Sequence, residues 1–294
     1  MKTLHLKKTS VNLDDFRLRE ALVSDVSQVI KGDVMIYVDD QPTLMYKVLE
    51  EDLDDLRWAV KRLKYHGGPK RARTRGLATN STTFGFAPRL AFRQDYCRAS
   101  GLSNESPKEH FVISSYASKV SKYYEDFFPV KYREHKDLVS EKVKEEWVIK
   151  DSPFTSGIVN KNSQLKYHID GGNFKGMLSN MVVFKKDVEG GYLVIPELDI
   201  ALEVADKSLT IFNGQILVHG VSPIEYKNSE AYRFSIVYYS LEQMWKCETL
   251  GDEIKRVRQK KDEREKNRLD PEHLQKLMDG VRNRTKRKGK NEQD

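Results

Sequence analysis

Between Trp147 and Tyr239 the chain breaks into eight short β-rich runs, and this texture restricts the fold more than any other feature. The runs cover residues 156–159, 165–169, 178–184, 192–195, 200–204, 209–212, 216–218 and 232–239. Gly190-Gly191, Pro196, Asp206 and Asn213-Gly214 punctuate them. Strands of this length and spacing predict a double-stranded β-helix, a jelly roll of two packed sheets.

The preceding residues read differently. Val34–Val38 and Thr43–Leu49 flank Asp39-Asp40-Gln41-Pro42 and predict a hairpin at an edge of the main sheet. A helix capped by Asp52 or Asp54 carries Leu53, Leu56, Val60 and Leu63 at near-helical spacing up to Gly67-Gly68. Pro107 suits a helix start, and Phe111, Tyr116, Val120, Tyr123 and Phe127 fill one face up to Pro129. A charged helix is expected from about Tyr132 to Glu146. Past Leu250 the apolar period fades, which predicts an exposed charged helix interrupted near Pro271, then a disordered basic end from about Val281. The fold class is therefore α+β: a jelly-roll core, N-terminal helices packed on one sheet, and a C-terminal charged helix. Residues 1–250 are expected to form one domain, with 1–146 and 147–250 as its two parts and 251–294 as a basic tail.

Charge is unevenly placed. From Lys61 to Arg98 there are ten Lys/Arg against one acid, Asp95, and from Gly251 onward fifteen against ten. Two basic segments flanking a roughly neutral middle suit a polyanionic partner, although surface solubility would also account for the tail. Two cysteines, Cys97 and Cys247, offer no disulfide framework and fit a reducing compartment. The first residues lack the apolar stretch of a signal peptide, and no run of eighteen apolar residues occurs. These readings predict a soluble, cytoplasmic monomer with no membrane partner.

Within the β-rich region, Tyr167-His168-Ile169-Asp170 places an imidazole and a carboxylate two residues apart, on one face of a strand. His219 follows on a later run. Two imidazoles and one carboxylate are the facial donor set of non-haem Fe(II), which leaves one side of the metal open. The pair alone also fits an ordinary polar strand end. Arg233, fourteen residues after His219, adds a guanidinium able to bind a carboxylate through paired hydrogen bonds, so the four together are arranged for Fe(II) with 2-oxoglutarate.

The block from Tyr167 to Tyr239 resembles the TET/JBP family of Fe(II)- and 2-oxoglutarate-dependent dioxygenases, which hydroxylate the 5-methyl group of pyrimidines in nucleic acid. The likeness is carried by Tyr167–Asp170, Gly190-Gly-Tyr-Leu-Val-Ile-Pro-Glu197, Ser208–Phe212, Val218-His-Gly220 and Arg233, over roughly residues 150–245. Arg71 to Arg98 is more loosely similar to compact, bacteriophage-type members, for which a virus-encoded chain acting in a host cell is one source. The resemblance implies that His168, Asp170 and His219 bind iron, that Arg233 and Ser235 hold 2-oxoglutarate, that O2 is the oxidant, and that DNA is the partner. It further implies that Asn173 meets the polar edge of a flipped base and that Tyr239 stacks on it. Asn173 reads equally well as a turn residue and Tyr239 as core. Asn80 is a further candidate for the base or its phosphate, and Arg71, Arg73, Arg75 and Arg89 for phosphates.

A methyl group inside a base stack cannot reach a buried metal, so the nucleotide must be extruded. The expected product is a 5-hydroxymethylpyrimidine, with 5-methylcytosine favoured over thymine. Leu241 stands where several 5-methylcytosine-acting relatives have histidine, which weakens that preference. Two alternatives are an AlkB-like nucleic-acid demethylase, against which Tyr239 occupies the position of that family's second arginine, and a cupin-like module that binds DNA without turnover.

Overall fold

The structure, a computed structural model, describes residues 1–16, 19–67, 80–90, 94–276 and 278–279. The chain opens with β1 (Lys2–Leu6), β2 (Gln28–Ile30) and β3 (Val34–Val38), and turns through Asp39-Asp40 into β4 (Gln41–Val48). Both aspartates take left-handed φ, 49° and 58°, the two-residue turn whose twist suits paired strands. Pro42 sits opposite Tyr37 where the register shifts, so its missing N–H costs little.

α1 (Asp54–Arg62) buries Leu56, Ala59 and Val60. It stops short of the expected Gly67 because Leu63 is already extended, and the Tyr65 hydroxyl donates to the Val60 carbonyl at 2.6 Å in the last turn. After β5 (His66–Gly67), β6 (Asn80–Ala87) and β7 (Arg98–Ala99) come four helices: α2 (Leu102–Glu105), α3 (Pro107–Ser115), α4 (Ala117–Phe127) and α5 (Pro129–Lys142). The single helix expected from Pro107 to Pro129 is thus two, broken at Tyr116. Phe111, assigned to its buried face, is 71% exposed. The buried residue of α3 is Ile113, about 200° round the helix from Phe111. Pro129 opens α5, which begins three residues before the expected Tyr132.

The β-rich half contains β8 (Ser156–Lys161), β9 (Ser179–Lys186), β10 (Val188–Gly190), β11 (Leu193–Ile195), β12 (Ile200–Leu202), β13 (Ser208–Phe212), β14 (Gly220–Val221), β15 (Ile224–Tyr226) and β16 (Tyr232–Tyr239). Two expected strands, 165–169 and 216–218, are not strands; in the first, His168 makes an isolated bridge to His219, the residue just past the second. The chain then enters α6 (Leu250–Lys266), which ends ahead of Asp270-Pro271, as expected. No helix among the described residues is long and apolar enough to cross a membrane.

Among the described residues, ten strands form one sheet in the order β1-β3-β4-β13-β9-β16-β8-β6-β5, with β7 paired to β6, and a smaller sheet runs β14-β11-β12-β2. The result is a mixed α+β arrangement of three layers. β9 shows why: Val182 and Phe184 point into a core shared with α1, α3 and α4, while Met181 and Val183 point into a second core shared with the small sheet. Alternation that is apolar on both faces is the mark of a strand covered on both sides.

Cys97 and Cys247, read from sequence as offering no disulfide framework, are in fact paired. They form a disulfide, 5.7 Å between Cα atoms, in a third apolar cluster with Trp147, Phe174 and Met244. Beside it α6 is tied down: Glu253, 1% exposed, receives Arg89 and the N–H of Cys97, and Arg256 pairs with Asp95 at 2.7 Å. The basic end expected to be disordered lies outside the described residues.

Candidate metal centre

His168 and His219 exchange backbone hydrogen bonds across their bridge, at 2.9 and 3.0 Å, which sets their rings 4.4 Å apart. The Asp170 N–H donates to the Gly214 carbonyl at 2.8 Å. Its Oδ1 lies 3.8 Å from His168 Nε2 and 4.0 Å from His219 Nε2, and one ligand atom from each residue falls within 4.8 Å of the others. His168 Nδ1 lies 2.7 Å from the Lys166 carbonyl and His219 Nδ1 lies 2.9 Å from that of Leu217. A carbonyl can only accept, so both Nδ1 atoms carry a proton, which leaves Nε2 as the nitrogen each ring turns toward Asp170 and a metal. Two imidazole nitrogens and one carboxylate, preset in this way, fit Fe(II).

The surroundings hold this geometry. Gly214 belongs to the site through what it lacks, since a Cβ there would collide with Asp170 Oδ2 and lie 3.1 Å from His219 Cε1. Buried Glu197 accepts from the Val218 N–H at 2.9 Å and fixes the chain one residue before His219. Sequence reading treated Asn213-Gly214 only as turn punctuation.

Arg233 is 2% exposed, and its Nε and Nη2 have no hydrogen-bond partner among the described residues. Burial lowers its pKa to about 10, with Tyr226 opposing the shift, so the guanidinium remains charged at neutral pH. A buried cation without a counter-charge is costly. The residue is therefore completed by an anion, and the side chain fits the free carboxylate of 2-oxoglutarate. Gly191, with φ of +67°, lets the backbone approach it: a Cβ would stand 3.1 Å from both Arg233 Cδ and Nε. The Asn162 side-chain oxygen accepts the Arg233 N–H at 2.8 Å.

A cavity of about 510 Å³ joins the metal ligands to Arg233. Its wall is the inward face of β16, β8, β6 and β9, and register orders that face into rungs. After Arg233 comes a polar rung, Ser235–Asn160–Ser81, then a largely apolar one, Met181–Val237–Ile158–Thr83. Tyr239 stands one rung further, near Ser179, Asn173 and Leu241.

Of the other residues singled out from sequence, Ser235 lines the cavity and is buried. Asn173 is 8% exposed; its Nδ2 donates to Ser179 Oγ at 3.2 Å, and its backbone carbonyl accepts from Gln215 at 2.6 Å. Asn80 opens β6 opposite Lys161, one residue before the cavity wall begins at Ser81. Arg89 is committed to buried Glu253, which removes its guanidinium from the role of phosphate contact. Arg71, Arg73 and Arg75 lie outside the described residues. Asn160, Ser81 and Thr83 were missed, because their sequence neighbourhoods carry no motif and only strand register brings them to the cavity.

A family model described as the oxygenase domain of the 2OGFeDO superfamily, Tet_JBP, matches residues 89–242. No curated protein sequence matches the chain. Among solved structures, NgTET1 in complex with 5mC DNA is similar at a TM-score of 0.53 and 12% identity, covering 79% of this chain and 90% of that one. An oxidoreductase of the 2OG-Fe(II) oxygenase family from Burkholderia pseudomallei gives 0.44 and 15%, over 81% and 95% of the two chains. OsALKBH1 gives 0.39 and 15%, over 68% and 97%.

Proposed function

The chain belongs to the Tet_JBP oxygenase family of the 2OGFeDO superfamily, and from that premise we propose that it hydroxylates the 5-methyl group of a pyrimidine flipped out of DNA, with 5-methylcytosine the favoured base. It is an Fe(II)- and 2-oxoglutarate-dependent oxygenase. His168, Asp170 and His219 hold the iron, and Arg233 with Ser235 holds the far carboxylate of 2-oxoglutarate. When bound, the metal and cosubstrate supply oxidation of a C–H bond by O2, with 2-oxoglutarate converted to succinate and CO2.

The observation that carries the reading is the single cavity that has the metal ligands in its wall, an unpartnered buried guanidinium at one end, and Asn173 and Tyr239 at the other. The residues do the positioning. Met181, Val237 and Ile158 line the stretch between polar rung and mouth with apolar surface, which excludes water from around a methyl group. Stacking on Tyr239 returns on the order of 1 to 3 kcal/mol against an unstacking cost of a few kcal/mol. Asn173 offers amide groups to the base edge. Phosphate contacts from Arg71, Arg73 and Arg75 supply salt-dependent affinity. The 5mC DNA bound by the similar NgTET1 supports DNA as the partner. We read the two facing sheets as the halves of a double-stranded β-helix and residues 1–250 as one catalytic domain.

The test is mass spectrometry of nucleosides from DNA of defined methylation after incubation with the enzyme, beside His168→Ala. Hydroxymethylcytosine from methylated DNA, absent with the variant, is the expected outcome. Succinate release without any modified pyrimidine would move the substrate out of this class.

A further inference from the structure

We propose that Asn160 sets the affinity of the site for the free carboxylate of a 2-oxo diacid by fixing the direction of the Ser235 hydroxyl. The inference rests on the reading of Arg233 as that carboxylate's anchor. Asn160 in β8 stands directly across from Ser235 in β16, and its Nδ2 donates to Ser235 Oγ at 3.3 Å. A serine hydroxyl has two lone pairs and one proton. Because Asn160 occupies a lone pair, the proton stays available for another acceptor.

That acceptor's place is marked by Arg233, two residues away on the same strand face, with Nε and Nη2 unpartnered. Three donors therefore serve one end of the cavity. Among the described residues the only carboxylate in the cavity wall is Asp170, at the metal. An Asn160 that accepted the serine proton instead would turn lone pairs toward the ligand and repel a carboxylate. The end of β8 and the residue just past it thus control both contacts: Asn162 holds the Arg233 backbone through hydrogen bonds of 2.8 and 2.7 Å, and Asn160 aims Ser235.

The experiment is calorimetric titration of the manganese(II)-loaded full chain with 2-oxoglutarate and with 2-oxopentanoate, the five-carbon keto acid that lacks the second carboxylate. Asn160→Ala should weaken 2-oxoglutarate about tenfold, the loss of one hydrogen bond to a charged group, and leave 2-oxopentanoate unchanged. Added to Ser235→Ala, it should have little further effect. Equal weakening of both acids would mean a general loosening of the pocket and overturns the proposal. So does wild-type affinity in Asn160→Ala, or two losses that add independently. A wild-type protein that binds both acids equally overturns the anchoring role of Arg233 itself, an outcome visible before any variant is made.

Discussion

His135 makes the chain's acid sensitivity calculable. It lies in α5 with no exposed surface, enclosed by the rings of Tyr124, Phe154 and Phe174. The Ser240 hydroxyl donates to the Pro153 carbonyl at 2.7 Å, so the 2.9 Å contact between His135 Nε2 and Ser240 Oγ must have the imidazole as donor. Nδ1 is then a bare acceptor without a partner among the described residues. Burial lowers the pKa to about 3, against about 6.5 in an unfolded chain. Between those values the unfolded chain binds a proton that the native one refuses. Stability is therefore almost unaffected by this group well above pH 6.5 and falls as the pH drops through 6.5 toward 3. From neutral pH to pH 5 the loss is RT ln(1 + 10^1.5), about 2 kcal/mol. His135→Gln keeps a donor toward Ser240 and cannot titrate. Urea unfolding followed by circular dichroism at pH 7.5 and 5.0, at equal metal loading, should show a loss about 2 kcal/mol smaller in the variant, whatever its absolute stability. Equal losses in both proteins would refute the buried neutral histidine. Because Ser240 adjoins Tyr239 and Leu241, and Phe174 adjoins Asn173, the first part of the molecule to loosen in acid should be the proposed base end of the cavity.

Gly214→Ala drives a Cβ into the Asp170 carboxylate, and it should weaken Fe(II) binding by about 10- to 100-fold, measured by competition with a chelator; wild-type affinity would show that the close approach is not needed. The disulfide closes a separation of 150 residues. Non-reducing peptide mapping should recover Cys97 linked to Cys247, and the double serine variant should lose about 2 to 4 kcal/mol of stability; two free thiols in the isolated protein would contradict the pairing.

How much of this was legible depends on the range of the interaction. β9, β13 and β16 were visible because composition and length agree over whole runs of apolar residues. Leu165–Ile169 has the same composition but, among the described residues, only one ladder partner, His219, and its residues are spent otherwise: Leu165 lines the cavity, and Tyr167 packs edge-on against Phe16. β1 went unseen because its pairing is parallel to β3, nearly thirty residues away, and its alternation is confined to Leu4 and Leu6. The helix break at Tyr116 was hidden because the apolar positions on either side remain in helical phase on paper. Nor do two cysteines 150 residues apart announce a bond that the docking of α6 through Glu253 accompanies.

The site divides along the same line. His168 and Asp170 are two residues apart, so local geometry alone suggests a shared task, and the family's motif extends it to His219 and Arg233. The meaning of Arg233, however, lies in what surrounds it: a guanidinium in a solvated strand and one buried with two idle donors have the same sequence. Asn160 is further out of reach, since its neighbour Ser235 is 75 residues away and only the antiparallel register of β8 and β16 sets them opposite each other. A one-residue slip of that register would put Val159 across from Ser235 and turn Asn160 into the helix-side core. The selectivity of the cosubstrate end is thus a property of strand pairing. Variants that disturb this pairing from the helix side of the sheet, such as a side chain at Gly157, whose Cβ would strike the Phe84 ring, should alter cosubstrate affinity before they alter iron binding.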